Sequence, residues 1–127
     1  MYLFQDLRSG LIKVGISGDP VERIPKINDE YRVRCRFVAY FYVTNDRLAE
    51  KHILDALKHR TLKGRYPRHR DLRWASDVRE RCSRSREWFD ITPRSPAELV
   101  RFVRGKLSRL GVLEACEVAP WVIQAGD

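Results

Sequence analysis

The chain reads as a single α/β domain of the α+β kind, a small, mostly antiparallel three-stranded sheet flanked by helices. Three observations lead there. The first seventeen residues hold two short alternating segments, Tyr2–Gln5 and Leu11–Ser17, separated by the turn-forming Arg8-Ser9-Gly10. A long run from Cys35 to Val43 is dense in aromatic and β-branched residues, as a central strand requires. Helix punctuation recurs between these runs: Asp19-Pro20, Asn45-Asp46 and Ser95-Pro96 each place a capping side chain before a helical segment.

In the second strand Ile12, Val14 and Ile16 alternate with Lys13, Gly15 and Ser17, so one face is apolar and the other small or polar. Gly15 stands where a strand would ordinarily carry bulk, which predicts that something approaches the backbone closely there. The first helix opens at Pro20 with Asp19 as N-cap and Glu22 at the positive end of its dipole, and runs to about Pro25 and beyond. Thr44 or Asn45 starts a second helix over Asp46 to about His59. Past it, Gly64, Pro67 and clustered arginines predict a loop, with a short helix over Ala75–Cys82. Glu87-Trp88-Phe89-Asp90-Ile91 predicts a third or fourth strand. Ser95 caps a helix over Ala97–Leu110, whose stripe of Leu99, Phe102, Val103, Lys106 and Leu110 faces the core and which stops at Gly111. The tail from Val112 carries no assignable element.

At 127 residues, 43% of them hydrophobic and 33% charged, the chain has the size and composition of one globular domain. The domain is read as residues 1–127, with a basic insertion at about 60–86 and a C-terminal helix plus tail from about 96. The N-terminus has Gln5, Asp6 and Arg8 where a signal peptide needs its apolar stretch, and Cys35, Cys82 and Cys116 are odd in number with no C-x-x-C pair. The expectation is a reducing, cytoplasmic setting, without a zinc site, a disulfide framework or a membrane partner. The net charge of +8 predicts a polyanionic partner. Residues 60–86 concentrate it, with ten Lys/Arg against three Asp/Glu. Arg60, Lys63, Arg65, Arg68, Arg70, Arg73, Arg79, Arg81, Arg84 and Arg86 are the expected contacts to a nucleic-acid backbone.

Four residues could converge on chemistry: Tyr2, Lys13, Arg23 and Glu50. Glu50 borders the inward stripe of Leu54 and Leu57, where a carboxylate needs either a cation or a nearby arginine. Each also has a plain alternative: Tyr2 as a half-buried strand aromatic, Lys13 as a solvated strand charge, Arg23 as a surface residue, Glu50 in a structural ion pair. His52, two residues after Glu50, falls on another face of the helix.

Taken in order, these parts resemble the GIY-YIG nuclease superfamily. Tyr2-Leu3-Phe4 stands at the first triplet and Lys13-Val14-Gly15 at the second, about ten residues on, followed by a helix-borne Arg23 and the later Glu50. The run from Gly10 to Arg23, with Ala49-Glu50-Lys51 and Arg86-Glu87-Trp88-Phe89, is most similar to a phage and bacterial branch. Members of that branch read IKIG in the second triplet, then a DP..R helix, then a late EWF. The likeness covers roughly residues 1–105, and about 61–85 is an insertion relative to the compact form. Two departures stand out. Lys13 replaces the tyrosine of the best-known members, as in some restriction-enzyme members, and Leu54 stands where the branch places a histidine, with His52 nearby.

The resemblance implies metal-dependent endonucleolytic cleavage of DNA, RNA not excluded. In that scheme Glu50 holds one Mg²⁺ or Mn²⁺ and Tyr2 accepts the proton of the attacking water. Lys13 favours the phenolate, and Arg23 clamps a phosphate oxygen. Gly15 admits the substrate backbone, Ser17 donates a hydrogen bond, and His52 and Glu87 are accessory. The alternative is a catalytically silent nucleic-acid- or protein-binding module on the same scaffold, such as a phage regulator or an inhibitor of a host system.

Overall fold

The computed structural model describes residues 1–63 and 78–124. The sheet is antiparallel, as expected, but has five strands rather than three. The strands are β1 (Tyr2–Asp6), β2 (Ile12–Gly15), β3 (Cys35–Val43), β4 (Trp88–Phe89) and β5 (Leu113–Val118), in the spatial order β4-β2-β1-β3-β5. The edges are β4, within the Glu87–Ile91 run that reads as a strand, and β5, in the tail that carries no assignable element. β4 is two residues long, and Arg60 to Leu62 lie alongside it through Asp90 N to Arg60 O, a Thr61–Phe89 bridge and Leu62 N to Trp88 O. That cover shields an exposed edge. β5 has the sequence Leu-Glu-Ala-Cys-Glu-Val, whose low β-propensity concealed it. Pairing with β3 and docking of the tail make it a strand. Trp121 donates Nε1 to Phe37 O at 2.8 Å, and the Arg36 guanidinium lies 3.3 Å from its ring centre.

The helices are α1 (Pro20–Tyr31), α2 (Asp46–Leu57), a 3₁₀ turn (Lys58–Arg60), α3 (Val78–Cys82), α4 (Pro96–Leu110) and α5 (Pro120–Gln124). Asp19 caps α1 by accepting from Glu22 N, Asn45 caps α2, and Ser95 forms a reciprocal capping box with Glu98 at α4. Pro25 lies within α1, which continues for six more residues to Tyr31. Gly111 closes α4 at φ +80°, the left-handed region that favours glycine.

The sheet has a core on each face. Leu3, Val14, Phe41 and Phe89 pack with Ala49, Ile53 and Leu57 of α2 and Leu99, Val103 and Leu107 of α4. On the opposite face Tyr2, Phe4, Leu11 and Trp88 pack with Ile24 and Ile27 of α1 and Cys82 of α3. The face that looked small and polar in the sequence is therefore covered by α1 and α3. Among the described residues no helix is long and apolar enough to cross a membrane.

Candidate functional site

The topology gathers the four singled-out residues at one end of the sheet. Tyr2 begins β1, Gly15 ends β2, and the two are register partners with Tyr40 of β3 on the other side. α1 follows the end of β2 and α2 follows the end of β3, so Arg23 and Glu50 both lie near helix N-termini at that end.

The tightest part is Tyr2, Lys13 and Glu87. Lys13 lies on the Tyr2 face, with Phe4 and Trp88 as cross-strand partners, and is only 2% exposed. Its Nζ donates to Glu87 Oε2 at 2.8 Å, to Tyr2 Oη at 3.3 Å and to Val14 O at 3.2 Å, using all three ammonium donors. Lys13 is thus a buried, fully satisfied cation rather than a solvated strand charge. Burial pulls its pKa down, but the neighbouring Tyr2 and Glu87 outweigh that and hold it above 10.5. Glu87 supplies the open end of the triad, its side chain being 35% exposed. Only its accessory role came from the sequence; a contact between residues 74 apart had no local signal.

Gly15 has a clear steric cause. A Cβ placed there would run into Oη and Cζ of Tyr2, with Cε2 at 2.8 Å. The close approach is made by the tyrosine ring of the neighbouring strand. Tyr2 is itself held flat by Phe4, stacked at 4.0 Å and 14°, and is 1% exposed.

Glu50 sits on α2, which covers the other face of the sheet, and its carboxylate makes no hydrogen bond or ion pair among the described residues. Its pKa is raised by burial and then by the charge of Glu87, while Lys13 and the Met1 amino group oppose. The carboxylate therefore shares the electrostatic neighbourhood of the triad without touching it. Arg23 is half-buried one turn before Ile27 on the same stripe of α1, and its guanidinium bonds to none of Tyr2, Lys13 or Glu50. His52 is likewise half-buried and bonds to none of them. Ser17 is committed locally: its hydroxyl donates to Asp19 O and accepts from Asp19 N, shaping the entry to α1. Cys35 and Cys82 are buried, and burial pushes both thiols up to about 12, so neither is a thiolate nucleophile at neutral pH.

Beside Glu50 runs a groove of about 500 Å³ lined by Lys51, Lys58, Lys63 and Arg86 as well as Glu50 and Asp55. Among the expected backbone contacts, Lys63, Arg84 and Arg86 are exposed, although Lys63 Nζ also donates to Arg84 O. Others hold the fold together. Arg81 is 9% exposed and donates to Tyr31 O and Arg32 O at the end of α1; Arg79 pairs with Asp90 at 3.1 Å; Arg60 donates to Thr92 O. Arg65, Arg68, Arg70 and Arg73 lie outside the described residues.

The family model of the T5orf172 domain matches residues 1–104, the stretch that builds β1 to β4 and most of α4. The chain belongs to the T5orf172 domain family. This phage-associated family is related to nuclease-type folds, and its match ends within α4, before β5 and α5. No curated protein and no solved structure shows significant similarity to the chain.

As a set of metal donors the T5orf172 site is sparse: among the described residues no three His, Cys, Asp or Glu converge. Glu50, half-buried and with its carboxylate unengaged, fits the loose mode in which a hard cation takes one protein carboxylate and keeps most of its waters.

Proposed function

We propose that the chain is a metal-dependent endonuclease of the GIY-YIG type that hydrolyses phosphodiester bonds in DNA. The observation that carries this reading is the buried ammonium of Lys13 set 3.3 Å from the Tyr2 hydroxyl at the glycine-ended junction of β1 and β2. The Tyr2 hydroxyl, held in place by that ammonium, is the proton acceptor in this reading. Water attacks phosphorus, its proton passes to Tyr2 Oη, and the bond to the 3′ oxygen breaks. Glu87 neutralises Lys13 from its far side and keeps the ammonium aimed at Tyr2. Arg23 contributes a bidentate grip on a phosphate oxygen. Mg²⁺ or Mn²⁺ held by Glu50 would supply relief of negative charge at the phosphate and the leaving oxygen. The groove beside Glu50, with Lys58, Lys63 and Arg86 along it, carries the strand.

One observation favours the second reading, a silent nucleic-acid- or protein-binding module. Tyr2 is 1% exposed, so water reaches its hydroxyl only when the neighbouring side chains part. Plasmid incubation with Mg²⁺ or Mn²⁺ separates the two. The nuclease reading expects nicking or linearisation that Tyr2→Phe and Glu50→Gln abolish while duplex binding in EDTA survives. Tight binding with no cleavage under either metal replaces it with the silent module.

A further inference from the structure

At the opposite end of the same sheet face lies a second basic feature, built mainly from arginines outside the segment where the sequence concentrates charge. A cavity of about 420 Å³ opens between the β1–β2 turn, the α1–β3 connection and α3, lined by Arg8, Arg32, Arg34 and Arg81 around Asp6. Four arginines and a single carboxylate line it, and that carboxylate is already satisfied. Asp6 accepts from Ser9 N, Ser9 Oγ and Arg34 N at 2.9, 2.6 and 2.9 Å. Arg81 forms the fixed, nine-tenths buried wall, tied to the last carbonyls of α1. Arg8, Arg32 and Arg34 are exposed, and among the described residues none of them is in an ion pair. The result is an excess of three positive charges in a concave site with forked donors, the chemistry that suits a phosphate oxygen pair.

We infer that this arginine cavity binds a backbone phosphate of nucleic acid, as a second anchoring point for the strand engaged at the Tyr2 end. Tyr2, Phe4 and Asp6 share one face of β1, so the two ends lie about 13 Å apart at roughly 3.3 Å per residue. That is about four base pairs of rise along a duplex, at roughly 3.4 Å per phosphate on one strand. A phosphodiester backbone is the occupant because its charges repeat along the strand, and a chain of net charge +8 attracts it over distance. This rests on the reading that the protein acts on nucleic acid.

The test is fluorescence anisotropy of a labelled 20-base-pair duplex in EDTA, over a range of salt, alongside cleavage with Mg²⁺. Arg8→Ala/Arg34→Ala is expected to bind roughly tenfold more weakly, with the salt slope shallower by about 1. Arg8→Glu/Arg34→Glu is expected to bind more weakly still, and Arg109→Ala, an exposed arginine of α4, to bind as the wild type does. Both altered side chains are exposed and free of hydrogen bonds, so unchanged thermal melting is expected of the alanine pair. Unaltered affinity and salt slope in both double variants would overturn the proposal, with cleavage by the wild type leaving the nuclease reading in place. A wild type that binds but does not cut sinks the nuclease reading alone. A wild type that binds no nucleic acid sinks both. Calorimetric binding of ATP that the variants lose, with duplex affinity unaltered, overturns it in favour of a free nucleotide.

Discussion

Replacing Glu87 by alanine strips the buried Lys13 ammonium of its carboxylate partner, and the cost can be worked from the contact itself. Lys13 Nζ and Glu87 Oε2 are 2.8 Å apart, with side chains 3% and 35% exposed. An effective dielectric of about 20 gives an attraction of about 6 kcal/mol; the wet end of Glu87 raises that dielectric, leaving roughly 2–3 kcal/mol. Glu87→Ala should therefore lower the melting temperature by about 8–12 °C, at roughly 4 °C per kcal/mol for a chain of this length. Lys13→Met should behave differently. Its neighbours across the strands are Phe4 and Trp88, and an apolar chain of similar length removes the buried charge instead of orphaning it. Stability should stay within about 1 kcal/mol of wild type, and Glu87→Ala made in that background should cost little. Urea unfolding of the four proteins gives the coupling directly. A coupling under about 0.5 kcal/mol would refute the view that the pair is desolvated and matters to the fold.

Gly15→Ala places a methyl group in the Tyr2 ring, so overpacking of about 1–3 kcal/mol is expected, together with a shifted tyrosine signal in near-ultraviolet circular dichroism. A well-tolerated Gly15→Ala with an unmoved Tyr2 would show that the ring does not rest on the glycine. Asp6 carries a pH signature. Burial tends to raise its pKa, but hydrogen bonds from the Ser9 side chain and the Arg34, Ser9 and Arg8 backbone prevail and hold it below 3.8. A depressed carboxylate contributes stability that is present in full above 3.8 and lost as pH falls through its folded value. Between about pH 5 and pH 2.5 the wild type should thus lose more stability to urea than Asp6→Asn does. Parallel losses in the two proteins would count against a role for the Asp6 cage in acid stability.

Much of the scaffold was written in local chemistry. Asp19, Asn45 and Ser95 cap their helices because a short polar side chain reaches the second or third amide of a turn from its own position. The alternating β2 and the aromatic β3 were legible for the same reason, since pleat and propensity act between neighbours. β5 was not, because its Glu-Ala-Cys-Glu sequence favours no strand until β3 and Trp121 hold it in place.

For the site, the sequence by itself determined which chemical groups were available and their order along the chain: a tyrosine, a lysine and a glycine on two adjoining strands, then an arginine and a glutamate on successive helices. Only the tertiary structure decided what each one touches. It set Lys13 against Glu87, 74 residues away, gave Gly15 to the Tyr2 ring, and tied Ser17 and Arg81 into the framework. It also gathered Arg8, Arg32 and Arg34 into one cavity with Arg81, 47 or more residues further along the chain. The division has one physical reason. Charge, hydrogen bonding and excluded volume act over a few ångströms in space, and folding makes neighbours of residues that the chain keeps apart.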